Sequence, residues 1–136
     1  MSKRAVVIST LTAAAILGAA FYTSSLLLSE SLYSSRGSFA YWLTISSVIK
    51  AVPEVSPTAP ARFYSSAGDG PKLPESAVTY PSSANPTEIV RAVDMYLTSK
   101  GCTRRPDGDY VNGASVVSVE IKPQTGSTLV TVRENY

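Results

Sequence analysis

Apolar positions along this chain fall into three successive patterns, and each predicts a different kind of element. From Ala5 to Leu28 the run AVVISTLTAAAILGAAFYTSSLLL is apolar on every side and carries no charge. Its polar members are Ser, Thr and Tyr, whose hydroxyls can return to the helix backbone or reach an interface. As a helix rising about 1.5 Å per residue it is about 36 Å long, enough to cross a hydrocarbon core of about 30 Å with some tilt. A second apolar stretch, Ser38 to Val52, is too short to cross a bilayer; Phe39, Trp42, Ile45, Ile49 and Val52 recur at near-helical spacing. Lying just past a spanning helix, it is expected in the headgroup region with Tyr41 and Trp42 at interface depth, or docked on a partner, ahead of its alternative place in a folded core.

The third pattern lies in the last sixty or so residues, where helical and strand periods alternate. Asn85 as N-cap, Pro86 at the first helical position and Glu88 three residues after the cap predict a helix start. Ile89, Val93, Tyr96 and Leu97 then share one face with Ala92, while Glu88, Arg91, Asp94 and Thr98 share the other. Gly101 is placed to close the helix in a left-handed conformation. Strand patterns flank it: Ala77 to Tyr80 ended by Pro81, Cys102 to Arg105, Tyr110-Val111, Ser115 to Lys122 with Val117, Val119 and Ile121 on one side, and Thr128 to Arg133. The predicted fold class is α+β: one helix over a mostly antiparallel sheet of three or four strands.

Between these patterns, prolines at 53, 57, 60, 71 and 74 with Gly68 and Gly70 predict a tether that holds the domain away from the bilayer. The resulting division is an anchor with its flanks at 1–35, an interfacial or docking segment at 36–52, a tether at 53–75 and a small domain at 76–136. Within the tether, Gly68-Asp69-Gly70-Pro71-Lys72 lacks the ending of a phosphate-binding loop and reads as a turn.

Charge sets the orientation. Lys3 and Arg4 precede the apolar run, Glu30 follows it, and the next positive residue is Arg36. The positive-inside rule then puts the N-terminus in the cytoplasm and the C-terminal domain outside, in a bacterial inner membrane. A cleaved signal peptide ending near Gly18-Ala19-Ala20 is the competing layout, although apolar sequence continues through Phe21 to Leu28. Arg62-Phe63-Tyr64-Ser65 resembles a mitochondrial presequence cleavage site and supports the mitochondrial inner membrane as an alternative location. Ala14, Gly18 and Tyr22, with Ala15 and Ala19, form a small-residue stripe of the kind that lets a second transmembrane helix approach, or a plain run of helix formers.

Candidate chemistry is sparse. The chain has no histidine, one cysteine, and twelve Lys+Arg against ten Asp+Glu. The commonest general base and zinc ligand is thus missing, Cys102 can form no intrachain disulfide, and a net charge of +2 does not suit a nucleic-acid partner. No catalytic, metal or cofactor residues are expected. Asp107 and Asp109 lack the further ligands of a calcium loop and read as a solvated turn. The candidate interaction residues are Phe39, Tyr41 and Trp42 in the second apolar stretch, and Arg104 and Arg105 in the domain. From 76 to 136 six basic residues balance six acidic ones, which fits protein contact. The expected function is a non-enzymatic single-pass membrane protein presenting a protein-binding domain to a partner or a second copy. The alternatives are an accessory structural subunit of a membrane complex and a small secreted domain.

Overall fold

The structure, a computed structural model, describes residues 3–136, with side chains from Ile8 onward. The orienting side chains of Lys3 and Arg4 therefore lie outside the described residues. In chain order the elements are α1 (Lys3–Leu27), β1 (Leu32–Ser34), α2 (Phe39–Thr44), α3 (Ser47–Lys50), β2 (Arg62–Ser66), β3 (Glu75–Ser82), α4 (Pro86–Ser99), β4 (Thr103–Arg104), β5 (Tyr110–Asn112), β6 (Ser115–Gln124) and β7 (Ser127–Asn135).

The α+β class holds, but the sheet has seven strands, all antiparallel, in the order β1-β2-β3-β7-β6-β5-β4. Three or four were expected. The difference lies partly in the segment read as a tether, which supplies β2: Phe63 pairs with Val78, and Arg62 with Thr79. Residues just ahead of β2 are strapped to the end of β3. The Tyr80 hydroxyl donates to the Pro53 carbonyl at 3.1 Å, the Thr58 amide to the Pro81 carbonyl at 2.9 Å, and the Ser83 amide to the Ser56 carbonyl at 3.0 Å. Proline removes a donor and keeps an acceptor. A proline-rich segment can therefore dock wherever its neighbour provides the N–H or O–H.

The same asymmetry lets β3 run through Pro81 instead of ending there. Along an antiparallel strand the N and O of one residue point to the same side, and the Pro81 carbonyl faces Thr58, so its missing N–H takes no bond from the β3–β7 ladder. In the β2–β3 connection Asp69 and Lys72 bond back to each other through their backbones, confirming a turn. Gly68 adopts φ +82° there, and a Cβ would stand 2.4 Å from the Lys72 carbonyl oxygen.

One face of the sheet carries the core. Phe63, Val78, Tyr80, Val117, Val130 and Val132 point to it, and Ile89, Val93 and Leu97 of α4 close over them. Helix α4 starts and stops as its residues dictate: Asn85 Oδ1 accepts from the Thr87 amide at 2.9 Å, and Gly101 takes φ +82°. The Cys102 amide donates to the Leu97 carbonyl and the Gly101 amide to the Thr98 carbonyl, both at 3.0 Å, which is the Schellman pattern. Its usual apolar contact joins Cys102 to Leu97, both buried, so the lone cysteine serves as a core residue and burial pushes its thiol pKa up.

The second apolar stretch is corrected in part. Tyr41, Ile45, Ile49 and Val52 are core residues beside α4, so most of the segment expected at an interface belongs to the folded domain. Polar contacts fasten it. Ser46 Oγ bonds Glu134, the Ser46 amide donates to Ser76 Oγ at 3.1 Å, and the Ser65 hydroxyl donates to Thr44 Oγ1 at 2.9 Å. The folded unit thus begins well before residue 76.

Candidate interaction surfaces

Helix α1 stands apart from this core. Its segment Ile8–Leu27 has a mean hydropathy of 1.4, none of it is buried, and among the described residues it is the one helix long and apolar enough to cross a membrane. Three of its hydroxyls turn back onto the helix: Thr12 and Ser24 each donate to a carbonyl four residues back at 2.9 Å, and Ser25 to the Tyr22 carbonyl at 2.8 Å, which lowers the cost of placing them in an apolar surrounding. In the small-residue stripe Ala14 and Gly18 are exposed, whereas Tyr22 stacks on Phe39.

Where α1 meets the domain, the five expected interaction residues separate. Tyr41 is 4% exposed and packs edge-on against Phe63, with ring centroids 4.7 Å apart, so it is a core residue and unavailable to a partner. Phe39 and Trp42 point outward, 57% and 64% exposed. The Lys50 ammonium lies 5.4 Å from the Trp42 ring centroid and donates to the Trp42 carbonyl at 2.7 Å. Nearby, Arg36 pairs with Glu54 and lies over the Phe63 ring. The Ala67 amide also donates to the Ser29 carbonyl at 2.9 Å, joining the β2–β3 connection to the exit of α1. A wedge of about 420 Å³, walled by Leu26, Leu27 and Leu28 on one side and Ser66, Pro74 and Tyr136 on the other, separates the two bodies.

Arg104 and Arg105 lie at the other edge of the sheet. Arg104 is engaged: its guanidinium is 3.9 Å from Asp94 and 5.8 Å from the Tyr110 ring centroid, and the Tyr110 hydroxyl donates to Asp94 at 2.8 Å. Burial and then that acidic neighbour push the Tyr110 hydroxyl up to about 12. Arg105 has an exposed side chain, and its backbone closes the β4–β5 turn by donating to the Asp109 carbonyl at 2.7 Å. Asp107 accepts from the Asp109 amide at 3.1 Å, so this acidic pair shapes the same turn.

A surface unread in the sequence is the sheet face opposite the core. Tyr33 and Tyr64 pack together at 5.1 Å, the Thr79 and Thr131 hydroxyls bond at 3.1 Å, and Arg133 pairs with Glu75 at 2.8 Å. At one end of this face is an open groove of about 900 Å³ lined by Tyr33, Pro60, Arg62, Thr79, Pro81 and Leu129 among others. The alternation of Arg62 and Tyr64 with Phe63 and Ser65 was the available signal, hidden by the flanking prolines.

Among the described residues no group of three or more Cys, Asp or Glu is placed to hold a metal ion. Compared with protein-family models, with curated proteins and with solved structures, the chain matches none.

Proposed function

We propose that this chain is a non-enzymatic single-pass membrane protein whose α1 anchors a small extracytoplasmic domain that binds another protein. One observation carries the reading: a 20-residue helix, apolar on all sides, is joined to a folded domain that buries none of it. Such a helix in water is unfavourable, and lipid is the surrounding that matches its length and composition. Lys3 and Arg4 before it and Glu30 after it support a cytoplasmic N-terminus, in a bacterial cell membrane. Retention of α1 is favoured over cleavage near Ala20, because cleavage would leave Phe21, Leu27 and Leu28 as an exposed apolar stub. A mitochondrial presequence cut at Arg62–Ser66 is disfavoured more strongly. It would split β2 and detach Tyr41, Ile45, Ile49 and Val52 from their own core.

The partner is a protein, with the uncovered sheet face as its contact; an accessory role in a multi-subunit membrane complex is the same contact made permanent. Alkaline carbonate extraction, together with cross-linking in intact membranes, tests both halves. The expected result is a chain that stays with the membrane and forms a discrete cross-linked species. A chain found in the soluble fraction and starting at or after Phe21, or one that stays single under cross-linking, overturns the corresponding half.

A further inference from the structure

We infer that the domain is seated directly on the bilayer, with Phe39 and Trp42 inserted at the boundary between headgroups and acyl chains. This rests on the reading of α1 as a span. The Tyr22–Phe39 stack is the depth gauge. Centring the run Ala5 to Leu28 on a hydrocarbon core of about 30 Å leaves Tyr22 about 7 Å inside the core's edge. Helical side chains lean toward the N-terminus, which here is deeper. The Phe39 ring centroid is 6.3 Å from that of Tyr22, so even displaced straight outward it stays at the hydrocarbon edge.

Trp42 follows Phe39 by three residues on a helix, so the two share a face, while Tyr41 points into the core. Tryptophan is the side chain most at home where an apolar ring meets a wet boundary. The Lys50 ammonium lies 5.4 Å from the same ring centroid and is held there by its bond to the Trp42 carbonyl, which places a positive charge beside the ring. Entry into this zone also demands satisfied backbone donors. At the start of α2, Ser38 Oγ accepts from the Tyr41 amide at 3.2 Å. The occupant is lipid rather than a second copy because the surface continues from the helix that is itself in lipid.

Trp42 is the chain's only tryptophan, so intrinsic fluorescence reports this position alone. The full chain would be placed in nanodiscs of equal parts phosphatidylcholine and phosphatidylglycerol, with phosphatidylcholine brominated either near the carbonyl or near the chain end. The expected result is emission shifted to the blue, protection from acrylamide, and stronger quenching by the shallow bromines than by the deep ones. Phe39→Ser, at an exposed position that the fold tolerates, should weaken both the protection and the quenching. Water-like emission with full acrylamide access, from a chain still co-eluting with the discs, overturns the seat and leaves the anchor standing. Protection from acrylamide without bromine quenching means that protein covers Trp42, and overturns it equally. A chain that does not co-elute with the discs overturns both readings.

Discussion

Helices α1 and α4 are the two long helices of this molecule, and they solve the same burial problem in opposite ways. Helix α4 is apolar on one side, and that side, Ile89, Val93 and Leu97, is shut against the sheet. Helix α1 is apolar all round, and no residue of Ile8–Leu27 is fully buried by its own chain. Propensity does not separate them. What separates them is whether the apolar surface forms a stripe, which one neighbouring layer can cover, or a full cylinder, which only a surrounding medium can.

That contrast can be broken most severely in the core. Leu97→Ala should lower domain stability by about 2–5 kcal/mol, whereas the same substitution at exposed Leu17 should change it by less than about 0.5 kcal/mol; denaturant titration of both variants reads the difference. Ile16→Lys inverts the test, since a lysine near the centre of a span costs about 2.5–3.5 kcal/mol of insertion. The membrane-bound fraction should fall while the fold persists, and Met95→Lys on the exposed side of α4 should change neither.

Alkaline pH should loosen the domain. Burial first, with Cys102 and Glu134 adding to it, pushes the Tyr96 hydroxyl to about 12, and Tyr110 likewise reaches about 12, from an ordinary value of 10.0. The folded state then holds protons that the unfolded chain has released. Stability is intact below pH 10 and declines from there through about 12. Denaturation midpoints followed upward in pH check this, and Tyr96→Phe with Tyr110→Phe should flatten the decline. Smaller still, Asn85→Ala removes the N-cap of α4 and should cost about 1 kcal/mol. Arg104→Ala, at a half-exposed ion pair, should cost less than about 1 kcal/mol of domain stability.

Legibility in the sequence followed the range of the forces involved. The start of α4 at Asn85 and Pro86, its end at Gly101 and the alternation of Val117, Val130 and Val132 were readable because caps, turns and periods are written within a few residues. Phe39 and Trp42 recur at one spacing with Ile45, Ile49 and Val52, yet the first two are exposed, the other three are buried and Tyr41 is buried too, because a 3.6-residue period does not say which neighbour receives which face. Strand β2 and the strap at Pro53 to Thr58 were hidden for a related reason: their donors, Tyr80 and the β3 backbone, come from elsewhere in the chain.

The sequence by itself determined that an uncharged apolar cylinder comes first, that a capped amphipathic helix lies among strands near the end, and that the residue set lacks histidine. Only the tertiary structure decided that a proline-rich stretch joins the sheet, that Tyr41 turns inward while Trp42 turns out, and that the domain abuts the exit of α1. The physical reason is that local propensity depends on a residue and its near neighbours, whereas hydrogen-bond acceptors such as the Pro53 carbonyl and rings such as Tyr41 are satisfied by whatever long-range pairing brings beside them.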